Sequence, residues 1–198
     1  MVQTYAARKD LRETPLENPD WTLFTYGSSF IEQGVHKAGY AVVTLNDVIG
    51  SVPLIPGTIT QLAELIALTR ALELNKRNVT NICIDSKYAF LVLHAHAAIW
   101  KERHFLTANG SPIKYHQEIN RSLSSVFFPQ EVAVMHCKGR QNGTDEIAEG
   151  NELADQATTS MARKPQSINT SEAPLNWKGS LRESKSQYLP AEIEWVIS

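Results

Sequence analysis

With 198 residues, 42% hydrophobic and 20% charged, the chain has the size and balance of one globular domain with tails, large enough to bury a core without disulfides. A formal net charge of −2 excludes binding of nucleic acid through overall basicity, so any polyanion site must be local. No apolar run approaches the ~18 residues of a membrane span, Met1–Asp10 lacks the apolar core of a signal peptide, and two cysteines, Cys83 and Cys137, suit a reducing setting inside the cell, cytoplasmic or nuclear.

The first 20 residues are polar, carry Pro15 and Pro19, show no hydrophobic period and read as a linker. Trp21–Tyr26 is short, apolar and β-rich. Gly39–Thr44 and Val48–Pro53 follow as strands, and Leu45-Asn46-Asp47 between them suits a hairpin turn. A helix is expected over Thr60–Asn75, capped by Thr60, with Leu65, Leu68 and Leu72 recurring at helical spacing. Val79–Ile84 reads as a buried strand running into Asp85-Ser86. Helices are expected over Lys87–His96 and His116–Val126, and a fifth strand over Glu131–His136. After the polar loop Lys138–Gly143, Thr144 or Asp145 is expected to cap a last helix ending near Met161. From Arg163 to Ser186 the chain is rich in Ser, Pro, Asn and Lys and reads as a second linker; Tyr188–Ser198 regains apolar residues. N-x-S/T sequons, among them Asn78, Asn142 and Asn169, are expected to stay unmodified in a reducing compartment. This order predicts an α/β fold: a five-stranded mixed sheet flanked by helices, antiparallel at one side and parallel at the other, over residues 21–162.

In such a sheet function collects at strand ends. Asp85 closes the fourth strand, Glu64 lies early in the first helix, and Asp155 lies in the last helix. Brought together, three carboxylates form a hard-oxygen site for Mg²⁺ or Mn²⁺. Two such ions ~4 Å apart activate a water and stabilise the leaving oxygen of a phosphodiester. His94, His96, His136 and Cys137 are residue types that suit zinc, but they come from a helix and a strand and are expected to be structural.

Five strings in order sharpen this reading: Gly27-Ser28-Ser29 after a strand, Ala63-Glu64-Leu65 on a helix, Asp85-Ser86-Lys87-Tyr88-Ala89-Phe90 after a strand, His136-Cys137-Lys138-Gly139-Arg140-Gln141, and Gly150-Asn151-Glu152-Leu153-Ala154-Asp155-Gln156-Ala157. Their order and spacing resemble the ribonuclease H domain of gammaretroviral and endogenous-retroviral polymerase polyproteins, from about Leu11 to Ala162. The resemblance implies an RNase H-like fold and a site of four acids holding two Mg²⁺ ions, assisted by a mobile histidine, that cuts the RNA strand of an RNA–DNA hybrid. It also implies a leader from a preceding polymerase and a tail, 163–198, running toward an integrase-like region. By position the second, third and fourth acids are Glu64, Asp85 and Asp155. The first acid is replaced by Tyr26, and the histidine by Arg140.

These departures point away from cleavage. A phenol titrates near ~10, is neutral at pH 7, and offers one oxygen where a carboxylate offers two. Two adjacent divalent cations lack compensation without the bridging carboxylate. Arginine cannot shuttle a proton, but it grips a phosphate bidentately. The resemblance places a basic protrusion at Trp100–His104, extended by Lys114 and His116. Lys37, Lys87, Lys101 and Arg103 are the phosphate candidates, with Ser28, Ser29, Arg140 and Asn151 as further contacts. Against this, Asp145, Glu146, Glu149 and Glu152 crowd the start of the last helix and oppose a polyanion. Three hypotheses follow. The domain is a catalytically inactive module, kept in a host chain, that binds nucleic acid or protein. It retains a one-metal nuclease on Glu64, Asp85 and Asp155. Or it is purely structural.

Overall fold

The structure is a computed structural model and describes residues 7–137 and 146–164. Five strands, β1 (Trp21–Glu32), β2 (Val35–Val43), β3 (Val48–Leu54), β4 (Val79–Ile84) and β5 (Glu131–His136), form one sheet in the order β3-β2-β1-β4-β5. The β1–β2 and β2–β3 pairs are antiparallel; β1–β4 and β4–β5 are parallel. This is the mixed sheet expected from three strands preceding the first helix. β1 runs six residues past Tyr26, because Gln33 and Gly34 both take positive φ (53° and 76°) and form a tight turn into β2. Two consecutive left-handed residues match the twist of a hairpin. The β2–β3 turn is closed by Thr44, whose Oγ1 accepts from the Asn46 and Asp47 N–H groups.

Helix α1 (Thr60–Leu74) lies on one face of the sheet, and α5 (Glu146–Ala162) on the other. Leucine spacing suggests one apolar stripe on α1, yet eleven of its 15 residues are buried. One side packs with Leu23, Tyr40, Val42, Ile82 and Val134 of the sheet. The other, through Leu65, meets Ile119 and Leu123 of α4 (His116–Ser125). A helix held between two layers is apolar nearly all round. Thr60 does not cap it: Ile59 occupies that position, with no side-chain bond, so Thr60 is the first helical residue. Between β4 and α4 the helix expected over Lys87–His96 is α2 (Lys87–Leu91) and a π-helical turn (Val92–His96), and it continues past its expected end as α3 (Ala97–Glu102). Ser86 caps α2 by accepting from the Ala89 N–H. Within the π turn His94 faces inward, and its Nε2 donates to the Val134 carbonyl at 2.9 Å. That bond accounts for His94 without zinc. The last helix begins by Glu146; its expected cap, Thr144 or Asp145, and Arg140 lie outside the described residues. Among the described residues no helix is long and apolar enough to cross a membrane.

Residues 7–20, part of the expected linker, lie along the sheet. Arg12 bridges Ala133 of β5, and Leu16 is buried.

Candidate active site

Two glycines seat the acidic helices on β1. A Cβ at Gly27 would lie 2.2 Å from the Glu64 nitrogen and 2.3 Å from the Ala63 carbonyl carbon. Only glycine permits α1 to approach β1 so closely. A Cβ at Gly150 would lie 2.4 Å from the Phe24 ring, so α5 sits equally deep on the opposite face. Both acids, Glu64 and Asp155, therefore reach the same stretch of β1, near Asp85, the residue that follows β4.

Glu64 is 5% exposed. Its carboxyl meets the Gly27 N–H and the Asp85 carboxyl. Its Oε2 and the Asp85 Oδ1 are buried with no hydrogen-bond partner among the described residues. Burial first, then the charge of Asp85, hold Glu64 well above the usual carboxylate range; the Gly27 N–H opposes this and Asp155 adds to it. Asp85 is also raised, chiefly by burial and further by Asp155, while its own backbone N–H, Glu64 and His136 pull it down. Burial and the mutual repulsion of the acids thus raise both carboxyls together. His136, at the end of β5, places Nε2 3.1 Å from the Asp85 carbonyl oxygen. No spacing in the sequence signals that approach; there the histidine stands out as a zinc ligand type and as the first residue of one motif string.

Tyr26 packs on the α5 side of the sheet against the cluster of Phe24, Ala41, Val43, Cys83, Cys137 and Ala154. Its carbonyl accepts from Thr158 Oγ1 at 3.1 Å. The aromatic ring is therefore part of the packing that holds α5 to β1. Two touching carboxyls with buried unpartnered oxygens are hard donors of the kind that suit one Mg²⁺ or Mn²⁺. On β1, next to Gly27, Tyr26 packs against apolar side chains and offers one phenol oxygen, fewer donor positions than a carboxylate would add for a second ion. Among the described residues no three His, Cys, Asp or Glu side chains are grouped as metal ligands.

The remaining residues are scattered around this centre. Lys87 is exposed at the start of α2, two residues from Asp85, and Lys101 and Arg103 are exposed at the end of α3. Lys37 is tied to Glu32 at 3.0 Å, which also holds Arg163 at 2.9 Å. Ser28 and Ser29 are half-buried on β1; the Ser29 hydroxyl lies 3.4 Å from His36 Nε2. Asn151 is 8% exposed and its Nδ2 has no partner among the described residues, so it does not present a surface contact. Glu146, Glu149 and Glu152 are exposed along the first half of α5. Asn78 is buried, which removes that sequon from the surface.

With this fold and acid cluster, the chain belongs to the RNase H family, whose pattern matches residues 18–163. Its relatives are retroviral. It is 44% identical over 162 residues to the Gag-Pol polyprotein of baboon endogenous virus (strain M7), covering 82% of this chain and 9% of that one. It is 48% identical over 171 residues to the Gag-Pol polyprotein of avian reticuloendotheliosis virus (85% and 15%). To the Pol polyprotein of radiation murine leukemia virus (strain Kaplan) it is 40% identical over 196 residues (99% and 32%). The domain is thus of gammaretroviral or endogenous-retroviral Pol type, and the chain spans under a third of these relatives' lengths. The solution structure of the PFV RNase H domain shares its fold at TM-score 0.61 and 23% identity, covering 73% of this chain and 94% of that one. A foamy viral protease-reverse transcriptase in complex with RNA/DNA hybrid matches at TM-score 0.64 and 19% identity (79% and 22%).

Proposed function

We propose that this domain is an RNase H that no longer cuts and serves as a nucleic-acid-binding module, with RNA/DNA hybrid as its ligand. The observation that carries the reading is Tyr26, a packed aromatic ring on β1 beside the Glu64–Asp85 pair and the Asp155 helix. The site keeps three acids and loses the carboxylate that would bridge two cations, so water activation and leaving-group stabilisation lose their joint support. The hybrid in the foamy viral complex supplies the ligand class.

Binding rests on Lys87, Lys101 and Arg103, which contact phosphates, with Arg140, outside the described residues, as a further contact. Glu146, Glu149 and Glu152 repel the same polyanion, so affinity is modest and falls steeply with salt. We place the domain inside a longer, intracellular, host-retained chain, with 1–20 and 163–198 as connections to flanking regions, the latter toward an integrase-like one.

A second reading is favoured by one observation. The buried, unpartnered Glu64 Oε2 and Asp85 Oδ1 suit a single cation, and with it residual one-metal cleavage. One experiment separates the two. Hybrid cleavage is measured in Mg²⁺ and in Mn²⁺ for the parent, Tyr26→Asp, and Tyr26→Asp with Arg140→His, and hybrid binding is measured in EDTA. The expected result is a parent that binds without cutting and revertants that cut. Cleavage by the parent that disappears in Asp85→Asn overturns the proposal in favour of the one-metal reading. A parent that neither binds nor cuts leaves a purely structural domain.

A further inference from the structure

β5 is the last strand of the sheet, and its outer backbone edge needs a partner or a cover. The leader supplies one. It runs parallel to β5, with the Arg12 N–H donating to the Val132 carbonyl (3.3 Å) and the Val134 N–H donating to the Arg12 carbonyl (2.9 Å). Both ends of this contact are pinned. At the far end the Leu16 N–H donates to Asn81 Oδ1 (2.8 Å), the Asn81 Nδ2 donates back to the Leu16 carbonyl (3.3 Å), and the Leu16 side chain is buried.

At the near end the Ala7 N–H reaches the Leu93 carbonyl (2.9 Å), and Arg8 forms a latch. Its guanidinium donates to the carbonyls of Val126 (3.1 Å), Pro129 (2.9 Å) and Gln130 (2.5 Å), and to both carboxylate oxygens of Asp10 (2.7 and 2.8 Å). All five donors of the fork are used, a pattern that a lysine cannot reproduce. Three of these acceptors are carbonyls at the C-terminal end of α4 and in the turn into β5, where a cation is favoured. Glu13 adds a carboxylate oxygen 3.7 Å from Nδ1 of His94, the residue whose other nitrogen holds the Val134 carbonyl.

We infer that the outer edge of β5 is a strand-docking site for an extended peptide bearing an arginine at its start and a leucine at its end, and that the leader Ala7–Glu17 occupies it in cis as a releasable strap. The whole of that segment precedes the match to the family, which begins at Asn18. The contacts are backbone bonds, one arginine fork and the apolar side chains of Ala7, Leu11 and Leu16, none of them part of the five-strand ladder, so the strap opens without unfolding the sheet. Opening it frees the edge of the strand that carries His136 to Asp85.

The test is hydrogen exchange by NMR on the full chain, comparing the parent with an Arg8→Lys/Leu16→Ala variant. The Val134 amide reports the strap and the Val42 amide, inside the β2–β3 pair, reports the sheet. The expected result is exchange at Val134 faster by about tenfold or more, unchanged exchange at Val42, and restored protection on adding a synthetic Ala7–Glu17 peptide but not its Arg8→Lys version. Unchanged exchange at Val134 overturns the latch. An equal rise at both amides overturns the strap as a separable element. Failure of the native peptide to restore protection overturns the docking site.

Discussion

Gly27→Ala isolates the close approach on which the candidate site depends. The added methyl would meet the Glu64 nitrogen at 2.2 Å, the Ala63 carbonyl carbon at 2.3 Å and the Ala63 oxygen at 2.6 Å, where ordinary contacts begin at 3.4 Å. All three atoms are backbone, so no side chain can swing aside, and α1 has to retreat by about 1 Å. That helix is buried on both sides, between the sheet and α4, so its retreat loosens two layers. The cost is therefore at the top of the overpacking range, about 3 kcal/mol, or roughly 10 °C in Tm for a unit of this size. Gly34→Ala is the control: its φ is +76° but nothing lies within 4 Å, so only the left-handed backbone is penalised, by about 1 kcal/mol. Urea unfolding of parent and both variants measures the two costs. The reasoning is refuted if Gly27→Ala costs no more than Gly34→Ala.

Glu64→Gln, studied in EDTA, changes how stability depends on pH. A carboxyl raised in the folded state contributes stability below its unfolded value near ~4.5 and loses it as pH rises through the folded value. The parent's urea midpoint should therefore fall more than the variant's between pH 5 and 8; parallel curves would contradict the burial argument. His94 has the opposite sign, because burial depresses its affinity for a proton despite the Val134 bond and Glu13. Its contribution is present above ~6.5 and is lost as pH falls through the folded value. His94→Gln should weaken that acid-side loss, read by thermal melts from pH 7.5 to 5. Lys101→Ala with Arg103→Ala should reduce the salt slope of hybrid binding by about 2, since each neutralised phosphate adds roughly 0.9; an unchanged slope in fluorescence anisotropy would remove α3 from the binding surface.

Much of the architecture is legible in the sequence because it depends on local signals. Short apolar, β-rich runs mark the strands, leucines at helical spacing mark α1, and Leu45-Asn46-Asp47 marks the turn between β2 and β3. The misreadings fall where side-chain pattern and backbone use diverge. Gly27-Ser28-Ser29 looks too polar for a strand, yet β1 continues through it because β2 supplies the pairing. The leader looks like a linker because its side chains are polar, whereas its backbone bonds and one arginine attach it to β5. No periodicity reports a bond made by a main-chain N–H to a strand more than 100 residues away.

For the site, the sequence read with its family resemblance offers the candidates: Glu64, Asp85 and Asp155, with Tyr26 and Arg140 at the positions where the resemblance implies a fourth acid and a histidine. Only the tertiary structure decided which of them meet. Two glycines let α1 and α5 approach β1 from opposite faces, and that approach puts Glu64 against Asp85 with the Asp155 charge acting on both. Both carboxyls are raised because burial removes the water that would otherwise let them ionise, and burial is a property of the packed layers rather than of any segment of the chain.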